Sequence, residues 1–281
     1  MPIPPVLILG AKGTLGNQLM KLYSDAIGWD REEIDALDFP ALEARVSTLR
    51  PPPAAIINCI AFNDVDGAEA RPEAAMALNG ELPGHLARLA ARSGAPLVHY
   101  STNYVFDGGE GEYAESAAPA PLSVYGRSKL RGEQLIAVGG GRNYILRTAV
   151  LFGPKGPSEL SKKSFVELML DLADRRDTIQ AVADEVNSVT YAPDLAAATR
   201  ALLAETPPPG IYHVVNSGSA SWFDFAREIF LIAGKRVAVL PVPSTHFPRK
   251  AVRPAKAVLL TTKLPPLRPW QSALAEYLAN R

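Results

Sequence analysis

Two side chains that could form an acid–base pair, Tyr125 and Lys129, lie four residues apart in the stretch SVYGRSKLRGEQ. The surrounding residues continue at helical spacing, with Pro121 just upstream, so we expect them to be helical. Four residues correspond to about one helical turn, which puts the phenol and the ammonium on the same face. Such a pair is common on protein surfaces, and its meaning depends on what the rest of the chain places beside it.

A glycine-rich turn near the N-terminus gives the first indication of a ligand. Gly10, Gly13 and Gly16 follow the apolar segment VLIL and open a helical segment. Glycines at such a turn permit the tight bend, the approach of backbone amides to a pyrophosphate and the packing of the helix on the sheet. The helix N-terminus directs its dipole at the phosphates. We expect this turn to bind a dinucleotide through Gly10, Lys12, Gly13, Thr14, Leu15 and Gly16.

The choice between NAD and NADP depends on two opposite charges after the second expected strand. Asp30, in IGWDREE, carries a carboxylate that can accept from both ribose hydroxyls of NAD. The next residue, Arg31, carries a guanidinium that can pair with the 2′-phosphate of NADP. Both are also compatible with solvated loop charges, so the sequence predicts NADH or NADPH without deciding between them.

Hydroxyl side chains complete a set that suits acid–base chemistry beside such a cofactor. Ser101 and Thr102 end an expected strand, where ligands bind in open α/β sheets. A phenol has an unperturbed pKa of about 10, and a nearby cation favours its ionised form. We therefore expect Tyr125 to transfer a proton, Lys129 to lower its pKa and to hold the nicotinamide ribose, and Thr102 to bond the substrate oxygen.

The composition indicates a globular protein with no net charge. Its 281 residues are 47% hydrophobic and 21% charged, which allows one large domain or a domain with a smaller partner. The 29 basic and 29 acidic residues balance, which argues against nucleic-acid binding. With Cys59 as its one cysteine the chain can form no internal disulfide, and we expect a cytoplasmic location. The sequence predicts no signal peptide, membrane span or metal site.

Apolar segments alternate with amphipathic ones along the first half of the chain. Four segments read as buried strands: 6–9, 54–61, 95–102 and 143–153. Helical periodicity marks the segments 14–24 and 72–94. Continuous apolar strands that alternate with helices indicate a parallel sheet covered on both faces, and therefore an α/β, doubly wound Rossmann fold.

The alternation weakens after Gly153, where we expect a smaller C-terminal substrate-binding lobe. Residues 1–152 are assigned to an NAD(P)-binding domain, to which residues 178–218 are expected to return. Residues 153–177 and 219–281 are expected to form mainly the substrate-binding lobe.

Together these motifs resemble the extended short-chain dehydrogenases/reductases, and within them the dTDP-4-dehydrorhamnose reductase family. The resemblance runs nearly end to end and depends most on YVFDG and VYGRSKLRGE. It implies that Tyr125 is the proton donor, Lys129 its partner and Thr102 the third catalytic residue. It also implies a set of cofactor contacts that comprises Tyr125, Lys129, Asp30, Asp38, Phe39, Cys59, Ala61 and Phe62.

Two further positions take an expectation from the resemblance. Asn79 lies where the superfamily often has a structural or relay asparagine, although a polar residue inside a helix fits equally well. Arg253, in VRPAK, lies where the family has an Arg-Pro pair near the substrate lobe, and we expect it to contact the substrate.

Several positions depart from the pattern of the family. Asn103 replaces the usual aspartate after Thr102, and Val150 replaces the usual tryptophan. Asn187 and Val189 stand where glycine and proline are usual. We expect Thr102, Asn103 and Val150 to contact the sugar, and the departures predict a sugar other than the ordinary rhamnose precursor.

The expected function is the NAD(P)H-dependent reduction of the 4-keto group of a nucleotide-linked 4-keto-6-deoxy sugar, with dTDP as the nucleotide. One alternative is a non-catalytic NADP-binding subunit like the regulatory subunit of methionine adenosyltransferase, but Thr102, Tyr125 and Lys129 argue against it. Another is an epimerase or a dehydratase, although a dehydratase should have an acid where Asn103 stands. No nucleic-acid or membrane partner is expected, and the protein should be a monomer or homodimer.

Overall fold

A parallel sheet forms the centre of the molecule. The computed structural model describes residues 5–159 and 161–281, so the first four residues of the expected N-terminal domain lie outside the described part. The six strands of this sheet are β1 (Val6–Leu9), β2 (Ile27–Trp29), β3 (Ala55–Asn58), β4 (Leu97–Thr102), β6 (Asn143–Thr148) and β10 (Gly210–His213).

The strand order identifies the place where this sheet can bind a ligand. All pairings are parallel, and the spatial order is β2-β1-β3-β4-β6-β10. The chain runs outward from β1 to β2 and then crosses back to β3 on the other side of β1. Ligands of open α/β sheets bind at such a reversal, outside the carboxyl ends of the strands. The doubly wound fold predicted from the sequence is confirmed.

Helices cover both faces of the sheet, because alternate strand residues point to opposite sides. The helices of this part are α1 (Thr14–Leu22), α2 (Phe39–Ser47), α3 (Val65–Ala70), α4 (Pro72–Met76), α5 (Leu82–Ser93), α6 (Val124–Val138) and α8 (Ala192–Glu205). On one face Ile8 lies in the same buried cluster as Leu19 of α1. On the other face Leu7 packs with Leu42 of α2 and Leu86 of α5. Two apolar layers therefore fix the carboxyl edge of the sheet in place.

A second lobe is built around a mixed sheet. Its strands are β5 (Gly111–Tyr113), β7 (Leu151–Phe152), β9 (Val186–Tyr191), β11 (Asn216–Ser221), β13 (Lys256–Leu259) and β14 (Leu267–Pro269). A separate parallel pair consists of β8 (Thr178–Val182) and β12 (Ala238–Val242). The helices of this lobe are α7 (Phe165–Ala173), α9 (Trp222–Ile232) and α10 (Trp270–Ala279). Its core is rich in aromatic side chains, among them Phe152, Phe225 and Trp270.

The chain crosses between the lobes more often than the sequence-based ranges allow. Of residues 178–218, α8 packs on α1 and β10 extends the central sheet, whereas β8, β9 and β11 pair outside it. The strand β5, within the range 1–152, pairs with β13 in the second lobe. Pairing between residues far apart in the chain determines these positions, and local periodicity does not report it.

Two expected elements are interrupted. The helix predicted over 72–94 contains a π-helical turn at Ala77–Glu81, and it ends as expected at Gly94, which has φ of 74°. The strand predicted over 143–153 ends at Thr148, and the chain then turns at Val150, which has φ of 38°, into the second sheet. In residues 5–159 and 161–281, no helix is long and apolar enough to cross a membrane.

Candidate active site

Thr102, Tyr125 and Lys129 meet at the carboxyl edge of the central sheet. Thr102 ends β4 and is buried. Ser123 caps α6 by accepting a bond from the Gly126 amide, so Tyr125 lies in the first turn of this helix. The Thr102 hydroxyl accepts from the Tyr104 amide at 3.1 Å and lies close enough to the Tyr125 phenol to lower its pKa. Lys129 follows one turn later with a buried side chain. The structure thus brings together the three residues that the sequence proposes for catalysis.

The pKa of Tyr125 differs from the expectation that Lys129 lowers it. Burial raises the pKa of Tyr125 above the usual value of a phenol, and the hydrogen bond from Thr102 acts in the opposite direction. The physical reason is that the half-buried phenol has lost water at the helix start, while the Lys129 amine bonds the Tyr100 carbonyl. Tyr125 therefore keeps its proton at neutral pH, which is the form that a proton donor needs.

Lys129 is held by groups of β4. Its amine donates to the carbonyl oxygen of Tyr100 at 2.5 Å and lies 3.3 Å from Nε2 of His99. Burial lowers the pKa of Lys129 to about 8, and Glu133, one turn further along α6, acts in the opposite direction. The side chain therefore changes its charge within about one pH unit of neutrality.

The glycine-rich turn leaves a backbone cradle at the start of α1. At Gly16 an added Cβ would lie 2.1 Å from the carbonyl oxygen of Gly10, so the helix packs directly on the turn. Gly10 has φ of 75°, and a Cβ there would lie 3.0 Å from the carbonyl carbon of Cys59. No side chain caps α1 at Gly13. An uncapped helix N-terminus at the strand-order reversal fits the pyrophosphate of a dinucleotide.

The charges after β2 form a compact cluster. The Asp30 carboxylate accepts from the backbone N–H groups of Lys12 at 3.0 Å and of Arg31 at 2.9 Å. The Lys12 ammonium pairs with Glu32 at 3.1 Å and with Glu33 at 3.4 Å. The Arg31 side chain is exposed. The Asp30 carboxylate, which can accept from ribose hydroxyls, therefore lies beside the Arg31 cation and the glycine-rich turn that carries Lys12, so the geometry agrees with either NAD or NADP.

Asn79 holds the segment that follows β3. Its Oδ1 accepts from the backbone N–H of Phe62 at 2.8 Å, while its Nδ2 donates to the Phe62 carbonyl at 2.9 Å. The same Nδ2 also donates to Ser128 of α6 at 3.0 Å. These contacts favour the structural asparagine of the superfamily over an ordinary polar residue inside a helix. They fix exposed Ala61 and half-buried Phe62 at the carboxyl edge of the sheet.

The other proposed cofactor contacts follow the strands of the same sheet, but their side chains cap a helix, stack on a ring or pack in the core. Asp38 caps α2 by accepting from the Ala41 amide at 3.0 Å. Phe39 stacks on His85 with ring centroids 4.3 Å apart. The side chains of Leu15 and Cys59 pack in the core beneath the turn, and burial raises the pKa of the Cys59 thiol. For these two residues the backbone is the part that can reach a ligand.

Asn103 corrects one of the substrate predictions. Only 2% of this residue is exposed, and its Nδ2 donates to Oδ1 of Asn187 at 2.7 Å and to the carbonyl of Ala257 at 3.0 Å. The side chain therefore fastens the end of β4 to β9 and β13 in the second lobe. Two departures from the family pattern, at positions 103 and 187, are parts of one amide–amide contact.

Val150 and Arg253 have different surroundings. Val150 is half-buried, and it packs against the aromatic core of the second lobe. Arg253 makes a bidentate ion pair with Asp66 of α3, with contacts at 2.7 and 3.2 Å. Asp66 also accepts from the Ala251 amide at 2.9 Å, so the C-terminal segment is tied to α3. The Arg253 guanidinium therefore already has a carboxylate partner, and its contact with the substrate stays a prediction.

Two features near these residues were not predicted from the sequence. Tyr104 places its ring edge-on to Tyr125 with centroids 6.0 Å apart, and burial raises its pKa to about 12. Gly156 lies against the glycine-rich turn, where a Cβ would meet the carbonyl of Lys12 at 2.3 Å. Nearby, the Ser158 amide donates to that same carbonyl at 3.0 Å. Both contacts join residues distant in sequence, so spacing alone does not reveal them.

A doubly wound sheet with a glycine cradle at the strand-order reversal and a Thr–Tyr–Lys group at its edge defines a Rossmann-type α/β protein. A family model described as RmlD substrate binding domain matches residues 5–281. The chain belongs to this family. The resemblance inferred from the sequence motifs is thereby confirmed.

Similar proteins agree over almost their whole length. A dTDP-4-dehydrorhamnose reductase of Streptomyces griseus is 39% identical over 98% of this chain and 93% of its own length. A protein of Streptomyces antibioticus, described as a probable dTDP-4,6-dihydroxy-2-methyloxan-3-one 4-ketoreductase, is 38% identical over 96% of this chain and 93% of its own. The crystal structure of dTDP-4-dehydrorhamnose reductase from Bacillus anthracis in complex with NADP is 33% identical, covers 100% of both chains and has a TM-score of 0.92.

Proposed function

We propose that this protein is an oxidoreductase that uses NADPH or NADH to reduce the 4-keto group of a dTDP-linked 4-keto-6-deoxy sugar. The observation that supports this most is the meeting of Thr102, Tyr125 and Lys129 beside the glycine-rich turn. The full-length similarity to proteins named for such reactions, and to one solved with NADP, agrees with it.

The side chains divide the work of the reaction as follows. When bound, the reduced nicotinamide supplies the hydride that attacks the ketone carbon. Tyr125 retains its proton until negative charge develops on the ketone oxygen, and it then donates the proton. Thr102 lies beside the phenol and orients the hydroxyl of Tyr125 towards the substrate oxygen. Lys129, charged below a pKa of about 8, adds positive potential near the developing negative charge.

We propose the rhamnose precursor, dTDP-4-dehydrorhamnose, as the first candidate sugar. The sequence-based expectation of a different sugar depended on Asn103 and Val150. Asn103 is committed to Asn187 and Ala257, so its change from aspartate gives no reason for a different sugar. Of these two residues, only Val150 still supports a different sugar, and it packs against the core of the second lobe.

A second candidate is a related 4-keto sugar of a specialised pathway. The similarity to the protein of Streptomyces antibioticus supports it, because that protein is named as a 4-ketoreductase of a different dTDP sugar. One missing apolar contact changes discrimination between substrates by about 1–3 kcal/mol. A small residue at Val150 can therefore alter the ranking of two sugars without changing the reaction.

We also propose that the central sheet with its helices binds the cofactor and that the second lobe covers the sugar nucleotide. The cytoplasm is the proposed location, and a monomer or homodimer is the proposed assembly. The non-catalytic alternative, an NADP-binding regulatory subunit, would not require the close approach of the Thr102 hydroxyl to the Tyr125 phenol. That contact favours a catalyst.

The proposal is tested by NADPH and NADH oxidation, followed by absorbance, over a panel of dTDP-linked and UDP-linked 4-keto sugars. Oxidation that requires a dTDP-linked 4-keto-6-deoxy sugar supports it. Cofactor binding without oxidation by any sugar supports the regulatory alternative. A UDP-linked sugar as best substrate overturns the assignment of the nucleotide.

A further inference from the structure

Three polar side chains lie in a row behind the active site, between the sheet and α6. Asn58 of β3 and His99 of β4 are paired in register on neighbouring strands, so their side chains share a face of the sheet. Only 1% of Asn58 and 0% of His99 is exposed. The Asn58 amide lies 3.0 Å from Nδ1 of His99, and Nε2 of His99 lies 3.3 Å from the Lys129 amine. The row ends at the residue proposed to assist Tyr125.

A backbone amide determines the direction of the hydrogen bonds in this row. The N–H of Ile60 donates to Oδ1 of Asn58 at 3.0 Å, so the NH₂ group of Asn58 faces the imidazole. An amide NH₂ can only donate, and Nδ1 of His99 must therefore accept. Burial and the neighbouring Lys129 lower the pKa of His99 well below its usual value, so the ring is neutral. Its proton then resides on Nε2.

The protonated Nε2 faces a group that differs between its two charge states. An ammonium has donors and no acceptor, whereas an amine also has a lone pair. The Nε2–H group of His99 can donate to the amine of Lys129, but it opposes the ammonium. The carbonyl of Tyr100, at 2.5 Å, accepts from Lys129 in either state.

The other charged groups around Lys129 do not cancel this effect. Glu133, one turn along α6, is a buried carboxylate, but Arg147 of β6 binds both of its oxygens at 2.9 and 2.6 Å. Ser101 of β4 donates to it as well, at 2.5 Å. Tyr125, one turn earlier on α6, is protonated at neutral pH. The negative charge nearest to Lys129 is therefore already paired.

We propose that Asn58 and His99 are positioning residues, which hold Lys129 against the Tyr100 carbonyl and favour its neutral amine over its ammonium. The role of Lys129 in catalysis rests on the proposed function, whereas the arrangement of protons does not. The row thus sets the pH at which Lys129 becomes charged.

Nitrogen-15 NMR of histidine-labelled protein tests the arrangement of protons directly. The chain has 4 histidines, which keeps the spectrum simple. His213 is an internal control of opposite form, because its Nδ1 faces the carbonyl of Leu260 at 3.0 Å and must carry the proton. We expect His99 with a bare Nδ1 and a protonated Nε2, and His213 with the reverse. A proton on Nδ1 of His99 overturns the proposal. The variant His99→Phe assigns the signals of His99 by their loss. If it does not fold, these signals are assigned by elimination from variants of the other three histidines.

Asn58→Asp should reverse the direction of the hydrogen bonds in this row, because it replaces the amide of Asn58 with a carboxylate of similar size. One carboxylate oxygen still accepts from Ile60, and the other now accepts from a protonated Nδ1 of His99. Nε2 of His99 becomes an acceptor for the Lys129 ammonium. The His99 signals should also report the titration of Lys129, with a midpoint that rises by at least about one pH unit, or tenfold in proton affinity. An unchanged tautomer or an unchanged midpoint overturns the proposal.

The same variant separates this inference from the proposed function. In the reductase assay, the loss of kcat/KM at high pH should begin at least about one unit higher in Asn58→Asp than in the parent. If the NMR midpoint moves and the pH profile does not, the positioning role in catalysis is wrong. If the parent reduces no sugar, the proposed function is wrong, and the NMR result still decides the arrangement of protons.

Discussion

At the scale of the residue, the proposed chemistry depends on a phenol that keeps its proton and on a lysine that carries its charge only below a pKa of about 8. Burial raises the pKa of Tyr125 and lowers that of Lys129 to about 8. Both shifts come from the removal of water at the start of α6. A reductase needs a protonated acid before hydride transfer, and this site provides one.

Tyr125→Phe removes the proposed proton donor and keeps its ring. General acid catalysis contributes about 10²–10⁴-fold, so kcat should fall by that factor while the Kd of the cofactor stays nearly unchanged. Tyr104→Phe is the matched control, because it removes the neighbouring phenol, whose pKa of about 12 makes it a weaker acid. If kcat survives in Tyr125→Phe and is lost in Tyr104→Phe, the proton comes from Tyr104.

Arg31→Ala tests the cofactor loop. The loop holds both Asp30 and Arg31, so NADH and NADPH should bind within about tenfold of each other, or about 1.4 kcal/mol. The variant should weaken NADPH and leave NADH unchanged, as measured by fluorescence titration. Arg92→Ala, which removes an exposed arginine of α5 that pairs with Glu43 of α2, is the control. A thousandfold preference of the parent for NADH or for NADPH would show that only one of the two residues, Asp30 or Arg31, faces the ribose.

At the scale of the element, the sequence predicts what local periodicity and capping encode. The strand at 6–9 and the end of the helix at Gly94 are both present, because each depends on residues close in the chain. The row through Asn58 and His99 was not predictable, since it depends on the register of two strands. The contact between Asn103 and Asn187 was missed for the same reason, and a substrate role was assigned to Asn103 in its place.

Asn103→Asp, which restores the residue usual in the family, should destabilise this protein. A carboxylate there would face the oxygens of Asn187 and Ala257. An unpaired buried charge costs about 3–5 kcal/mol, which urea unfolding would detect. Asn63→Asp, on an exposed residue, should cost less than about 0.5 kcal/mol. A stable Asn103→Asp variant with an altered KM for the sugar would place position 103 at the substrate after all.

The pair of Asp66 and Arg253 joins α3 to the C-terminal segment and should respond to acid. The hydrogen bond from Arg253 lowers the pKa of Asp66 to about 2. Since an unfolded aspartate has a pKa of about 3.9, the contribution is present above that value and is lost as the pH falls to about 2. The stability difference between the parent and Asp66→Asn should therefore shrink over this range. A difference that stays constant would contradict the pairing, and Asp25→Asn is the exposed control.

At the scale of the molecule, two lobes meet where the central sheet presents its carboxyl edge. The contacts of Arg253 with Asp66 and of Asn103 with Asn187 connect the lobes. The chain crosses between the lobes repeatedly, through β5, β8 to β11 and β13. If, as proposed, one lobe holds the cofactor and the other covers the sugar nucleotide, a change of sugar need not alter the hydride chemistry.

The transfer of deuterium from NADPH labelled at C4 of its nicotinamide tests the central claim most directly. The protein is incubated with the labelled cofactor and dTDP-4-dehydrorhamnose, and the sugar product is analysed by mass spectrometry and NMR. We predict one deuterium at C4 of the sugar, from one face of the cofactor, at a rate that Tyr125→Phe reduces by about 10²–10⁴-fold. A product without deuterium at C4, or no product although the cofactor binds, would contradict the account.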